Sequence, residues 1–209
     1  MVSTAEMTEK YILEHASVKD CLRKGLINYS ALARLIASDA GIENESSKEA
    51  ILVAARRFRE KMKGRTFEDE IVRMFNGSNV EIKNNIVIFT LEKYVYPDSL
   101  IDVEKQIKRD KALFFSIEGA KTITLIVQGT SAGLIEKNFT GHMIDKKGGL
   151  SLISIASKGI ESCIGAVSYI SGLFFENGVN IVEFMSCYDD TLIVVDSGDV
   201  SKVIGFLNF

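Results

Sequence analysis

The sequence has no tryptophan, one proline, two histidines and three cysteines among its 209 residues. So little proline argues against long linkers, and we expect most of the chain to fold. Cys21, Cys163 and Cys187 are far apart and form no Cys-x-x-Cys pair, which excludes a disulfide framework and predicts buried free thiols. His15 and His142 lack the spacing of paired ligands, so we expect no metal site.

Long apolar runs and catalytic motifs are also missing. No run approaches the roughly 18 apolar residues of a membrane helix, and the N-terminus shows no basic-then-apolar signal pattern, so we expect a cytoplasmic protein without a membrane partner. Phosphate-binding loops, zinc-protease motifs and nucleophile elbows are absent from the sequence. The acidic pairs 69–70 and 189–190 fall at a predicted helix start and a predicted hairpin. We expect no enzyme and no cofactor.

The charge balance and the predicted secondary structure of the chain change near residue 65. Residues 1–65 hold 12 Lys+Arg and 9 Asp+Glu, whereas residues 66–209 hold 13 and 19. Capping and stop signals in the first part predict three short helices. The first begins at 17–20 and ends at Gly25, the second begins at Asn28 or Ser30 and ends at Gly41, and the third follows a capping box over Ser46–Glu49.

The third helix has two contrasting faces. Ile51, Ala54, Ala55, Phe58 and Met62 recur at helical spacing and predict a core-facing stripe, opposite a basic face at Lys48, Arg56, Arg59 and Lys63 with Arg57 and Lys61 at its flanks. Three short helices ending in a basic one are typical of a helix-turn-helix, whose cations contact DNA phosphates and bases. The alternative is an ordinary solvated face, which the sequence pI of about 5.6 favours. The candidate DNA contacts are Arg56, Arg57, Arg59 and Lys63.

The remaining sequence contains an internal repeat. The segment from Ile71 aligns with the segment from Ile135, so that Phe75 matches Phe139. Each copy continues as strand, helix, strand, strand, helix, which predicts a ferredoxin-like core written twice. The fold class is therefore α+β, with an all-helical N-terminal domain followed by two βαββαβ units. The boundaries are 1–65 for the helical domain, 66–79 for a helical connector, 80–147 for the first unit and 148–209 for the second.

Each unit needs a fourth strand after its second helix. The second repeat reaches Phe209 without one, and an open apolar edge invites aggregation. We expect "NVEIK", residues 79–83, to supply that strand, as "GHMIDK" supplies the first unit. The two units would then interlock.

The second repeat contains the segments "LSLISIASKGIESCIGAVSYISGLFFENGVNIVEF" and "TLIVVDSGDVSKVIGFL". These segments resemble an ACT domain of the kind found at the regulatory end of aspartokinases. The resemblance implies a homodimeric regulatory module that binds an amino acid where the first loop of one unit meets the second strand of another. Carried over, the ligand residues are Lys158, Gly159, Ile160, Glu161, Ser162 and Gly165 in the loop and Val179, Asn180 and Ile181 at the strand start.

The sequence departs from the family at two loop positions. Ser157 stands where aspartokinases commonly have a glycine, and Ile164 where they commonly have proline. The equivalent first loop, "KYVYPDS", has no glycine, so we expect only the second to bind ligand. A purely structural turn is the alternative.

Three functions fit this organisation. The ACT pair senses an amino acid and signals to a DNA-binding head, or it forms a non-catalytic regulatory subunit of a metabolic enzyme, or it is a ligand-free dimerisation module. The amino acid and the oligomer beyond a dimer stay open.

Overall fold

The computed structural model describes residues 3–42, 44–62, 67–95 and 97–207. The chain divides into two compact units, Met1–Thr66 and Phe67–Phe209. Within the described ranges the first unit contains helices only, and the second combines helices with a sheet. None of the helices described is long and apolar enough to cross a membrane.

In the part of the first unit that the structure describes there are four helices, where the sequence patterns predicted three. They are α1 (Thr4–Glu14), α2 (Ala16–Lys24), α3 (Tyr29–Asp39) and α4 (Glu45–Lys61). Helix α1 has a Ser-x-x-Glu capping box, in which the Ser3 hydroxyl accepts from the Glu6 backbone and the Glu6 carboxylate accepts from the Ser3 backbone. The signal for α1 was therefore present in the sequence, and a count of three helices was wrong.

Helix α4 begins one residue before the capping box expected for it. Asn44 is its N-cap, and the Asn44 side chain accepts a hydrogen bond of 2.7 Å from the Ser47 backbone. The prediction of a Ser46–Glu49 box was wrong because an amide side chain placed earlier already satisfies the free N–H groups. The predicted apolar stripe is confirmed, since Ile51, Ala55 and Phe58 are buried in the core of the first unit.

The second unit is built on a six-stranded antiparallel sheet of order β2-β3-β1-β4-β6-β5. The strands are β1 (Asn79–Glu92), β2 (Phe114–Glu118), β3 (Thr122–Gln128), β4 (Met143–Ala156), β5 (Glu183–Cys187) and β6 (Asp190–Asp196). The helices are α5 (Phe67–Phe75), α6 (Pro97–Arg109), α7 (Ala132–Phe139), α8 (Ala166–Glu176) and α9 (Val200–Phe206). Their order reproduces the repeat read from the sequence.

The two longest strands, β1 and β4, pair with each other at the centre of the sheet. Val80 lies opposite Ile155 and Ile82 opposite Ile153, so the start of β1 extends the sheet of the second repeat. The start of β4 does the same for the first repeat, with Lys146 opposite Phe89. The expected interlocking of the two repeats is confirmed.

Two apolar clusters hold the helices on the sheet. One joins α5, α8 and α9 to the second repeat, and the other joins α6 and α7 to the first. Helix α5, which lies within the span predicted as a connector, contributes the buried side chains of Ile71 and Phe75 to the first of these clusters. Its hydrophobic face is thus part of the sheet unit.

The three cysteines are free thiols, as the sequence predicted, but their burial was predicted wrongly. Cys21 and Cys187 are exposed, and Cys163 is only partly buried. Burial and the nearby Glu70 carboxylate raise the pKa of the Cys163 thiol. The described residues contain no group of His, Cys, Asp and Glu side chains that could hold a metal ion.

Candidate ligand-binding loop

The loop that follows β4 begins with a buried serine. Ser157 is 1% exposed, and its hydroxyl shares a hydrogen bond with the Ser78 hydroxyl, just after α5. The Ser157 backbone N–H donates to the Asp189 carbonyl at 2.8 Å. The serine that replaces a family glycine therefore ties the loop both to α5 and to the hairpin between β5 and β6.

Gly159 is the position where the loop changes direction. Its φ of +82° is in the left-handed region, which side chains other than glycine rarely adopt. The Gly159 N–H donates to the Asp189 carboxylate at 2.8 Å. The loop thus presents a backbone donor to a carboxylate, and that carboxylate belongs to the same chain.

The rest of the loop combines one internal anchor with exposed polar groups. Ile160 is buried in the core of the second repeat, whereas the side chains of Lys158, Glu161 and Ser162 are exposed. Gly165, with φ of +85°, starts α8. Ile160 can therefore offer a ligand only its backbone, and the exposed neighbours can offer their side chains.

The other predicted contacts lie at the opposite end of the sheet within one chain. Strands β4 and β5 run in the same direction because both are antiparallel to β6. The loop leaves the final end of β4 beside the hairpin, while 179–181 precedes the start of β5. Glu183 at that start is level with Leu152, four residues before the end of β4, or about 13 Å along the strand. One chain does not bring the two groups together.

The residues at the strand start differ in their exposure. Val179 is buried and its N–H donates to the Phe174 carbonyl at 2.9 Å, Ile181 is half-buried against the core, and Asn180 is exposed. Of the three, Asn180 is the one whose side chain is free to reach another molecule.

In the first repeat, a different type of residue connects the corresponding loop to its hairpin. The Lys93 amine, just after β1, donates to the Gly119 carbonyl at 3.2 Å and forms an ion pair of 3.4 Å with the Glu118 carboxylate. A loop-to-hairpin contact thus recurs in both repeats, but with a lysine in the first and an aspartate in the second. The first loop offers no glycine N–H at this contact.

The Asp189 contact was missed by sequence reasoning. A hairpin aspartate is usually a turn residue, and the contact to Gly159 spans 30 positions. No sequence signal marks the contact, and only the structure shows that Tyr188, directly before Asp189, has a left-handed φ of +54°. A non-glycine residue in this conformation is strained and marks a turn whose direction is fixed by its surroundings.

The predicted DNA contacts on α4 have separate environments. The Arg56 guanidinium lies 5.4 Å from the centre of the Tyr29 ring, and the Arg59 guanidinium is packed against Gly25 at the end of α2. Arg57 is exposed, and Lys63 lies outside the described residues. Arg59 Nε is buried without a hydrogen-bond partner among the described residues. DNA binding stays a prediction, in which Arg56 and Arg57 are the exposed described contacts.

Glu183, at the start of β5, is expected to make stability depend on pH. Burial raises the pKa of this carboxyl above its ordinary value, because the ionised form loses hydration in the folded state. Stability should therefore fall as pH rises through the interval between the unfolded and folded pKa values. Glu183→Gln should be more stable than the natural chain at pH 7, and the difference should vanish in acid.

Urea unfolding of Glu183→Gln and of the natural chain between pH 3 and pH 7 measures this difference in stability. Glu176→Gln, on the exposed end of α8, is the matched control and should change stability little at any pH. Equal pH profiles for Glu183→Gln and the natural chain would contradict the expectation.

Solved structures with a similar fold include aspartokinases. An aspartate kinase from Clostridium acetobutylicum, described as an allosteric enzyme, aligns with 62% of this chain at 13% identity and a TM-score of 0.52. A structure of aspartokinase α and β subunits aligns with 62% of this chain and 90% of that chain, at 12% identity and a TM-score of 0.51. The regulatory subunit of aspartate kinase from Thermus thermophilus aligns with 61% of this chain and 92% of that subunit, at 12% identity and a TM-score of 0.48.

The likeness at these identities concerns the fold alone. The chain shares an ACT-like fold with part of these aspartokinase structures. It spans about a third of the clostridial enzyme, since the match covers 34% of that chain. No protein-family model and no curated protein sequence matches the chain.

Proposed function

We propose that the sheet unit is a non-catalytic regulatory module that senses a small amino acid. The observation that carries the proposal is a hydrogen bond made by the loop between β4 and α8. In it, the Gly159 N–H donates to the Asp189 carboxylate. A glycine N–H in a tight loop is well suited to a ligand carboxylate, because no side chain blocks the approach to the backbone donor. The ACT-like fold supports the same role.

Asp189 then acts as an internal competitor of the ligand. Its carboxylate holds the donor that a ligand carboxylate would use, and two anions cannot share a single N–H at full strength. Binding therefore requires Asp189 to leave Gly159 for solvent, which the exposed neighbouring hairpin residues allow. The differential affinity of ligand for the displaced state sets how far the equilibrium moves.

A second copy of the chain completes the site in this proposal. The loop and the segment 179–181 lie at opposite ends of the sheet in one chain, so a two-fold related subunit is needed to place Asn180 near the loop of its partner. The homodimer is accordingly part of the mechanism.

The target of the signal is better described as a protein than as DNA. Arg56 is stacked on Tyr29 and Arg59 packs against Gly25, so two of the three described candidate cations already have internal neighbours. We therefore favour a regulatory subunit whose helical unit docks on an enzyme of amino-acid metabolism. A DNA-binding head is the alternative, and Arg57 is its exposed cation without a described internal neighbour, whereas Arg56 is exposed beside Tyr29.

A thermal-shift screen against the twenty amino acids tests the proposal. A ligand present at a hundredfold excess over its Kd should stabilise the folded chain by about 2.7 kcal/mol. Asp189→Ala should enlarge the shift, because the internal competitor is gone. Asp189→Asn, which keeps an acceptor of similar shape but loses the charge, should lie between.

A pair of glycine variants supplies the control. Gly159→Val should abolish the shift, whereas Gly41→Val bears a similar backbone strain at φ of +66° just after α3 on the helical unit and should retain it. If no amino acid shifts the melting temperature at millimolar concentration, even in Asp189→Ala, the module is a dimerisation scaffold instead.

A further inference from the structure

The helical unit has a surface groove whose charged and apolar residues have no role in the proposed function. It lies between α1 and α4 and encloses about 620 Å³. Ala5 and Glu9 of α1 form one wall, and α4 forms the other. The Lys61 amine closes one end through an ion pair of 2.7 Å with the Glu9 carboxylate.

The α4 side of the groove has an apolar centre between opposite charges. Val53 is 45% exposed, and Ala50 and Ala54 beside it have no side chain beyond Cβ. Glu49 and Arg57, both exposed, are four residues before and four residues after Val53, about 6 Å away in each direction along the helix. An exposed valine beside the exposed and small Ala50 lets another helix approach closely.

We propose that this face pairs with the same face of a second copy of the chain. In an antiparallel pair of α4 helices with the two-fold axis at Val53, residues equally far from Val53 face each other. Glu49 then lies opposite Arg57 of the partner subunit, and Arg57 lies opposite Glu49 of the partner subunit. The face is complementary to itself in charge, because each acid meets a base, and in shape, because alanines flank the crossing point.

The contact is small and rests on the homodimer of the proposed function. One helix pair buries much less than the roughly 1,600 Å² of a typical stable interface. Two chains already joined in that homodimer would hold the helices at a high effective concentration, so that a weak contact can form. The proposal also gives Arg57 a carboxylate partner in place of a DNA phosphate.

Cross-linking of the full chain at the crossing point tests the geometry. Val53→Cys, in a Cys21→Ser/Cys187→Ser background that removes the exposed native thiols, places two thiols beside the axis. A short bis-maleimide should cross-link this variant at least about tenfold faster than Leu35→Cys, which is equally exposed at 48% on α3. Equal rates at the two positions would overturn the proposal.

Charge reversal tests the pairing itself. Glu49→Arg and Arg57→Glu should each slow cross-linking at position 53 about tenfold at low salt, since each places like charges opposite each other. The double variant restores both pairs with exchanged signs and should return to within about threefold of the starting rate. If the cross-linking rate of the double variant does not recover, or recovers only when DNA is added, the proposal is overturned.

The outcome is separate from that of the ligand screen. Glu49 and Arg57 lie on the helical unit, so the same variants should keep any amino-acid-induced thermal shift. Loss of cross-linking with the shift retained would reject the helix pair and leave the sensor proposal intact.

Discussion

Phe75→Ala is expected to destabilise the sheet unit by about 3–5 kcal/mol, the usual cost of removing a buried phenylalanine. Phe75 is 0% exposed, and its ring stacks on Tyr169 of α8 with the ring centres 5.9 Å apart. The alanine would leave a cavity among the core residues shared by α5, α8 and the sheet. Since many domains are stable by only 5–15 kcal/mol, this change should remove a large part of the total.

Val72→Ala on the same helix is the matched control. Val72 is 38% exposed, so its truncation should cost less than about 1 kcal/mol. Chemical unfolding monitored by circular dichroism measures both variants. Equal effects at the two positions would show that α5 is a loosely attached connector rather than part of the core.

Separation of the second repeat from the first is expected to abolish its folding. A fragment of residues 148–209 would lack Val80 and Ile82, which pair with β4 and pack on the second core. The exposed edge of β4 would leave its backbone groups unpaired next to Ile153 and Ile155. We expect the fragment to be unfolded or aggregated.

A fragment of residues 67–209 keeps all six strands and the five helices that the structure describes on them, so it should fold. The two-dimensional ¹H–¹⁵N spectra of both fragments provide the comparison. Dispersed resonances and cooperative unfolding of 148–209 would mean that the start of β1 is dispensable.

The sheet unit was largely predictable because its local patterns agree with its long-range pairing. Alternation of apolar residues marked the strands, and the aligned copies from Ile71 and Ile135 gave their order. The full length of β1 was harder to see. The polar pair at Asn84 and Asn85 interrupts the alternation, at a point where the register of β1 against β4 shifts.

The candidate site was predictable only in its glycines. Gly159 and Gly165 are recognisable from sequence because a turn and a helix start need their backbone conformations. The carboxylate that contacts Gly159 could not be assigned, since Asp189 approaches through sheet pairing and not through proximity in sequence. The environment of Arg59 could not be assigned for the same reason, because its guanidinium packs against Gly25, which is 34 positions earlier in the chain.

The pairing of β1 with β4 also determines when the protein can fold during synthesis. Val80 and Ile155 are neighbours in the sheet but are separated by 75 positions in the chain. At about 5–20 residues per second, β1 waits several seconds after leaving the ribosome before β4 emerges. The apolar strand must stay free of other partners during this interval, and long-range pairing of this kind slows folding. Slower translation between residues 92 and 143 would prolong this exposure and increase the demand for chaperones.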